Sequence, residues 1–164
     1  MFEFLKKELK IVAAIDGKTI NLANVPDPVF AQKLAGDGVA IDSTGNIVVA
    51  PCDGEISLIF KTNHAFAMTL DNGMELLIHI GIDTVSLKGK GFKRLVETGQ
   101  KVKTGTPIIE IDRTLIEKAG LSLITSILVT NLDSVKSITP IIGQQVKAGN
   151  DTIITYKNNN KIFR

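Results

Sequence analysis

His64 and His79 are the only histidines of this 164-residue chain, and they are the side chains best suited to chemistry. A neutral imidazole is a good nucleophile near pH 7, and two adjacent imidazoles could transfer a group or contribute to a metal site. Cys52 is the only cysteine, which excludes an intrachain disulfide and a cysteine-rich metal site. The sequence also has no Gly-x-Ser-x-Gly motif for a nucleophilic serine.

A predicted hairpin determines whether the two histidines can meet. Strand-like runs at residues 63–70 and 74–82 flank an Asp-Asn-Gly segment, and Asn-Gly is typical of two-residue hairpin loops. With Asn72 and Gly73 as the loop, His64 faces Gly81 and Phe66 faces His79. Both histidines then lie on one side of the sheet as diagonal neighbours. A three-residue loop would destroy this register.

The two sides of the predicted hairpin differ in polarity. One side is apolar and is expected to face the core: Met74, Leu76, Ile78, Ile80 and Ile82. The other side carries the histidines together with Phe66, Met68, Leu77, Gly81 and Asp83. A structural zinc site needs four ligands, and the chain supplies two histidines and one cysteine. Covalent transfer of a phosphoryl group by an imidazole is therefore the favoured chemistry, and a purely structural role for the histidines is the alternative.

The pattern along the rest of the chain predicts an all-β protein. Turn signals recur every eight to twelve residues between short runs rich in Ile, Val, Leu and Thr, which is typical of an antiparallel β-sandwich. Short helical turns are expected at residues 29–34, 114–119 and 133–137. The segments 99–105 and 143–149 are similar, which indicates pseudo-symmetric halves of a single domain. We expect a flexible segment at residues 1–10 and one domain at residues 11–164 with a polar carboxyl-terminal tail.

Composition restricts the classes of function. The net charge is +2, and no basic stripe with interleaved aromatic residues indicates nucleic-acid binding. The longest nearly apolar stretch, residues 121–129, is too short to span a membrane, and the amino terminus is not a secretory signal. We therefore expect a cytoplasmic protein.

Several motifs together resemble the glucose-type enzyme IIA family of the bacterial phosphoenolpyruvate–sugar phosphotransferase system. They are GMELLIHIGIDTV (73–85), TNHAF (62–66), VPDPVF (25–30), GDG (36–38) and GKGF (89–92), and the resemblance extends from about residue 11 to residue 156. The resemblance implies that His79 takes phosphate on Nε2 from the phosphocarrier protein HPr and passes it to the cysteine of a IIB domain. It further implies that the carbonyl of Gly81 orients His79, and that His64 and Thr62 support it.

The same resemblance implies a docking surface around His79. Asp27 and Asp83 match acidic residues at its rim, and its apolar members match Pro28, Val29, Phe30, Leu34, Ala35, Phe60, Leu77 and Val85. Of these, Phe30 is expected to be exposed. No cofactor is required, although zinc bound by His64 and His79 and completed by a partner is a further implication. The resemblance also implies a monomer, regulated transporters or kinases as additional partners, and in some relatives an amino-terminal segment that touches the membrane.

Two other functions are compatible with the residues alone. The first is a lipoyl or biotinyl carrier module, which needs a modified lysine at a hairpin tip. Lys88, Lys90 and Lys103 lack the flanking residues of such a site. The second is a regulatory binding protein without catalysis, in which the histidines need not react.

Overall fold

Fourteen short β-strands form the framework of residues 8–159, the part of the chain that the computed structural model describes. They are β1 (Leu9–Val12), β2 (Gly17–Ile20), β3 (Asp37–Ser43), β4 (Ile47–Val49), β5 (Gly54–Ile59), β6 (Ala65–Thr69), β7 (Glu75–His79), β8 (Phe92–Arg94), β9 (Lys101–Val102), β10 (Pro107–Ile111), β11 (Ile124–Val129), β12 (Val135–Pro140), β13 (Gln145–Val146) and β14 (Thr152–Asn158). Two short helices, α1 (Pro28–Ala31) and α2 (Arg113–Lys118), and 3₁₀ turns at Leu22–Asn24, Thr84–Leu87 and Leu132–Ser134 complete the described secondary structure.

Every strand pairing in this part of the chain is antiparallel. The largest sheet has eight strands in the order β13-β2-β3-β11-β7-β6-β5-β9, and two three-stranded sheets have the orders β1-β14-β12 and β4-β10-β8. A single large core cluster contains residues from all three sheets. The prediction of an all-β sandwich is therefore confirmed.

The side chains of the large sheet alternate between two apolar regions. In β3, Val39 and Ile41 belong to the main core, whereas Ala40 between them belongs to a smaller cluster on the other side of the sheet. This smaller cluster also contains Leu22, Val25, Phe30, Ile82 and Leu128. The period-two alternation of a strand explains the division. The smaller cluster matters for function because it lies on the side of the sheet that carries His79.

The two similar turns have equivalent contacts, as expected for pseudo-symmetric halves. In the first copy, Gly105 N–H donates to the Ala50 carbonyl and Thr104 N–H donates to Asp53 Oδ1, each at 2.8 Å. The corresponding bonds of the second copy join Gly149 to Ala13 and Ala148 to Asp16, also at 2.8 Å. The short strands β9 and β13 then pair with β5 and β2 in the same way.

The register of the β6–β7 hairpin differs from the prediction. Ala65 faces His79 and Phe66 faces Ile78, so the loop has three residues, 71–73. The side chain of Asn72 stabilises this longer loop, because its Oδ1 accepts from Met74 N–H and its Nδ2 donates to the Tyr156 hydroxyl, each at 3.0 Å. Phe66 and Met68 are consequently buried in the main core rather than beside His79. The predicted core positions 74, 76, 78 and 80 are confirmed, and Ile82 joins the smaller cluster.

The first strand begins within the segment predicted as flexible. Most of the segment predicted as flexible, residues 1–10, lies outside them, but Leu9 and Lys10 belong to β1 and pair with Tyr156 and Thr155. The predicted turns near residues 29 and 114 correspond to α1 and α2, while the third is a 3₁₀ turn that leads into β12. No helix within residues 8–159 combines the length and the apolar composition needed to cross a membrane.

Candidate functional site

His79 is the last residue of β7, and the turn that follows orients its ring. Its Nδ1 lies 2.9 Å from the carbonyl oxygen of Gly81. Because a carbonyl can only accept a hydrogen bond, Nδ1 carries the proton and Nε2 keeps a free lone pair. Gly81 has a φ of +81°, and a Cβ there would lie 2.5 Å from Thr84 Cγ2 and 2.7 Å from the Ser122 carbonyl oxygen. Glycine is therefore needed at this position to bring the carbonyl to the ring.

His64 immediately precedes β6, so its side chain does not follow the alternation of the strand. Asn63 has a φ of +58°, which turns the chain into His64. Thr62 Oγ1 lies 2.5 Å from His64 Nδ1, and Ile80 N–H donates to the His64 carbonyl at 2.8 Å. The two imidazole rings lie 5.1 Å apart, centroid to centroid, at an interplanar angle of 83°. The histidines thus meet as expected, although by a different route from the predicted register.

The surroundings keep both imidazoles neutral at physiological pH. His64 is only 5% exposed; burial, and secondly the neighbouring His79, lower its pKa from 6.5 to about 4. Burial also lowers the pKa of His79, against the opposing influence of the Gly81 hydrogen bond and the charges of Asp27 and Asp83. A neutral His79 with a free Nε2 lone pair is a nucleophile, so the site is prepared for attack on an electrophile.

Phe30 is buried, which contradicts the expectation that it is exposed. It is 4% exposed, and its ring lies 4.7 Å from the His79 ring at an interplanar angle of 51°. The cap of α1 explains this position: Asp27 Oδ1 accepts from Val29 N–H at 3.0 Å and Pro28 starts the helix. The single turn then directs Phe30 towards the sheet, where it joins the smaller cluster. Phe30 therefore packs against the His79 ring inside the fold and does not form part of the expected docking surface.

The other residues expected at a docking surface lie around this pair with various exposures. Val29, Leu34 and Val85 are 46%, 70% and 53% exposed. The remaining members are Pro28, which is exposed, and Ala35, Phe60 and Leu77, which are partly buried. The Phe60 ring lies 5.4 Å from the His64 ring. Of the two carboxylates, Asp27 is half-buried and Asp83 is exposed.

Two residues that touch the site were not identified from the sequence. Arg94 holds the segment before His64, since its Nε donates to Asn63 Oδ1 at 2.8 Å and its Nη2 donates to the Phe60 carbonyl at 3.3 Å. Its position two residues after the GKGF motif (89–92) was the available signal. Ser126 faces His79 from β11. Nothing in the sequence marks it, because the pairing of β11 with β7 joins segments far apart in the chain.

The described residues provide no complete metal site. Within residues 8–159, no group of three or more His, Cys, Asp or Glu side chains could hold a metal ion. Two cavities of about 480 and 490 Å³ lie elsewhere, and neither includes a histidine in its lining. The two imidazoles lie outside these cavities, among partly exposed apolar side chains. This arrangement suits contact with another macromolecule.

Comparisons with known proteins agree with this arrangement. The family model described as the phosphoenolpyruvate-dependent sugar phosphotransferase system, EIIA 1, matches residues 9–135. The chain is 46% identical over 150 residues to the PTS system glucose-specific EIIA component of Haemophilus influenzae, covering 92% of this chain and 90% of that protein. It is 44% identical over 147 residues to the PTS system N-acetylglucosamine-specific EIICBA component of Klebsiella pneumoniae, covering 90% of this chain and 23% of that protein.

A solved structure resembles the whole fold. The glucose permease IIA from Mycoplasma capricolum superposes with a TM-score of 0.85 at 37% sequence identity, covering 93% of this chain and 97% of that chain. The matched residues include both histidines and the turn at Gly81, because the family model extends over residues 9–135. The chain belongs to the EIIA family of the phosphoenolpyruvate-dependent sugar phosphotransferase system, and it is a phosphotransferase component that relays a phosphoryl group on a histidine during sugar uptake.

Proposed function

We propose that His79 is the histidine that carries the phosphoryl group, and that the bond forms at Nε2. The observation that carries this proposal is the hydrogen bond from His79 Nδ1 to the Gly81 carbonyl at 2.9 Å, which leaves Nε2 as the nitrogen with a free lone pair. The tautomer of His64 is not fixed in this way, because its Nδ1 is bound to the Thr62 hydroxyl, which can donate as well as accept, and the residue is almost fully buried.

The proposed transfer keeps one proton in place throughout. The Nε2 lone pair of His79 attacks the phosphorus atom, and the bond between phosphorus and the nitrogen of the donor, phospho-HPr, breaks. Since Nδ1 keeps its proton, the ring gains a positive charge while Nε2 is bonded to phosphorus. The cysteine thiolate of a IIB domain then attacks the phosphorus, and Nε2 recovers its lone pair. The protein contributes alignment and charge stabilisation, which are the main requirements of phosphoryl transfer.

His64 is proposed to bind the phosphoryl oxygens. If the Thr62 hydroxyl donates to His64 Nδ1, the neutral ring carries its proton on Nε2 and can donate it to a phosphoryl oxygen. The ring distance of 5.1 Å between the histidines places the two imidazoles close enough to share one phosphoryl group. Charge-assisted hydrogen bonds of this type are stronger than neutral ones, so His64 would stabilise the transferring group more than it stabilises the resting site.

Both protein partners are proposed to dock on the same surface. Val29, Leu34 and Val85 provide exposed apolar area, and Asp27 and Asp83 provide negative charge close to His79. An apolar patch with an acidic rim suits brief contact with a basic partner and excludes water from a labile phosphohistidine. The fused EIICBA relative from Klebsiella pneumoniae supports a IIB domain as the acceptor. We further propose that this chain is a monomer and works in the cytoplasm.

We propose that the membrane permease, and not this chain, selects the sugar. Relatives named for glucose and for N-acetylglucosamine match this chain at 46% and 44% identity.

Zinc at His64 and His79 would need two further ligands from a partner, and it would occupy imidazoles that the relay uses. The family match does not favour a lipoyl or biotinyl carrier.

The decisive experiment is phosphorylation in a reconstituted system. The protein is incubated with labelled phosphoenolpyruvate, enzyme I and HPr, and we expect one acid-labile, base-stable label per chain. His79→Ala should remain folded and take no label, because His79 lies outside the main core. His64→Gln is the matched control and should still take the label. Stoichiometric labelling of His79→Ala would show that another residue carries the phosphoryl group.

A further inference from the structure

Ser126 is a buried serine that lies directly opposite His79 in the pairing of β11 with β7. Facing residues of an antiparallel pair point to the same side of the sheet, with Cβ atoms about 5 Å apart. Ser126 is 1% exposed, and its Oγ is buried without a hydrogen-bond partner among residues 8–159. An unpaired buried hydroxyl costs free energy, and an alanine would fill almost the same space without that cost.

Two strand neighbours and the adjoining cluster show why the Ser126 hydroxyl has no partner within residues 8–159. Its facing residue in β3 is Ala40, whose side chain ends at Cβ. Ala40 belongs to the smaller cluster together with Phe30 and Leu128, and their side chains have no polar atom. The imidazole of His79 is the polar side chain that faces Ser126 across the strands.

The charge of this imidazole changes during the proposed relay. The proton on Nδ1 stays there, hydrogen-bonded to the Gly81 carbonyl. When Nε2 bonds to phosphorus, the ring therefore becomes positively charged. Burial opposes a positive charge at this position, as the direction of the His79 pKa also indicates. The oxygen of a serine hydroxyl has two lone pairs and can turn them towards a cation.

We propose that Ser126 is a positioning residue of the relay, whose hydroxyl stabilises the phosphorylated, positively charged form of His79 relative to the unphosphorylated form. This inference rests on the proposed function, because it requires the phosphoryl group to be on His79. The unpaired hydroxyl destabilises the resting site, and its interaction with the charged ring offsets this when the phosphoryl group arrives. Ser126 thereby shifts the phosphoryl-transfer equilibrium towards this protein.

The test is the equilibrium constant for phosphoryl exchange between phospho-HPr and the full chain. We expect Ser126→Ala to lower this constant about tenfold, the size of one hydrogen-bond-like interaction with a charged group. The melting temperature of the unphosphorylated variant should be unchanged or higher, because the unpaired hydroxyl is removed. Ser126→Thr keeps the hydroxyl and should restore most of the equilibrium constant.

Thr125→Val is the matched control. Thr125 is the preceding residue of β11, is buried, and donates to the Leu123 carbonyl instead of facing His79. Its substitution should lower stability and leave the exchange equilibrium unchanged. An exchange constant of Ser126→Ala within twofold of the wild type, or an equal loss in Thr125→Val, would overturn the inference about Ser126. Failure of the wild-type protein itself to take phosphate would instead overturn the proposed function, and the inference with it.

Discussion

At the residue scale, His64 differs from His79 in what it can contribute to the relay. Its pKa is lowered to about 4, so its ring is neutral at neutral pH. If the Thr62 hydroxyl donates to its Nδ1, the ring is a hydrogen-bond donor through Nε2. His79 has the opposite arrangement, with a free lone pair on Nε2. Two identical side chains thus receive different roles from their immediate hydrogen-bond partners, and each role can be tested separately.

We expect His64→Gln to accept phosphate but to pass it on slowly. Glutamine can donate a hydrogen bond to a phosphoryl oxygen, but it cannot take up a charge as the phosphoryl group leaves. Loss of such stabilisation typically lowers a rate by about 100- to 1000-fold. The measurement is the single-turnover rate of transfer from the phosphorylated variant to a IIB domain. Equal rates for variant and wild type would show that His64 only fills space beside His79 and does not stabilise the transferring group.

The low pKa of His64 also predicts how stability depends on pH. Below its ordinary pKa of 6.5 the unfolded chain binds a proton at His64, whereas the folded protein does not until about pH 4. Protonation therefore stabilises the unfolded state relative to the folded state as the pH falls through this window. The free energy of unfolding decreases by about 1.4 kcal/mol per pH unit from this group. Urea unfolding at pH 7, 6 and 5 should show a shallower decrease in His64→Gln than in wild type. Parallel curves would contradict the lowered pKa.

At the scale of the elements, the hairpin shows where sequence reasoning succeeds and where it stops. The alternation of residues 74–80 correctly predicted a strand with one core side. The Asn-Gly signal predicted a two-residue loop, but the hydrogen bond of Asn72 to Tyr156, a residue of a distant strand, favours three. The one-residue slip moved Phe66 into the core. The histidines still meet because His64 precedes the strand, at a turn whose shape depends on Arg94. Such contacts between distant segments are not visible in a local pattern.

The short helix α1 places Phe30 against the His79 ring. Phe30 lies beneath the His79 ring and is buried, so Phe30→Ala should lower the free energy of unfolding by about 3–5 kcal/mol. It should also slow phosphorylation, because the ring that packs against His79 is lost. Val29→Ala is the matched control on the same turn, since Val29 is exposed and its loss should weaken HPr binding with little effect on stability. The measurements are urea unfolding and HPr affinity. An unchanged stability of Phe30→Ala would place its ring on the surface.

At the scale of the whole molecule, the two pseudo-symmetric halves share one core and touch at their equivalent turns. The main core of residues 8–159 combines residues of all three sheets, and it includes Val102 and Val146 from the two similar segments. The resemblance of residues 99–105 to 143–149 predicted the symmetry, but not that these turns contact each other. A Cβ added at Gly149 would lie 3.0 Å from Gly105 Cα. We therefore expect the chain to unfold in a single cooperative transition.

The contact between the two turns can be tested with a pair of glycines that have similar backbone conformations and different surroundings. Gly149 and Gly143 have φ values of +74° and +79°, so alanine at either position is strained by the same left-handed backbone. That strain costs about 1–2 kcal/mol. Gly143 has no atom within 4 Å of an added Cβ, whereas Gly149 has the backbone of Gly105 in the way. Gly149→Ala should therefore be more destabilising than Gly143→Ala in urea unfolding, with one transition for both. Equal losses would show that the two turns do not pack against each other, and a second transition would show that the halves unfold independently.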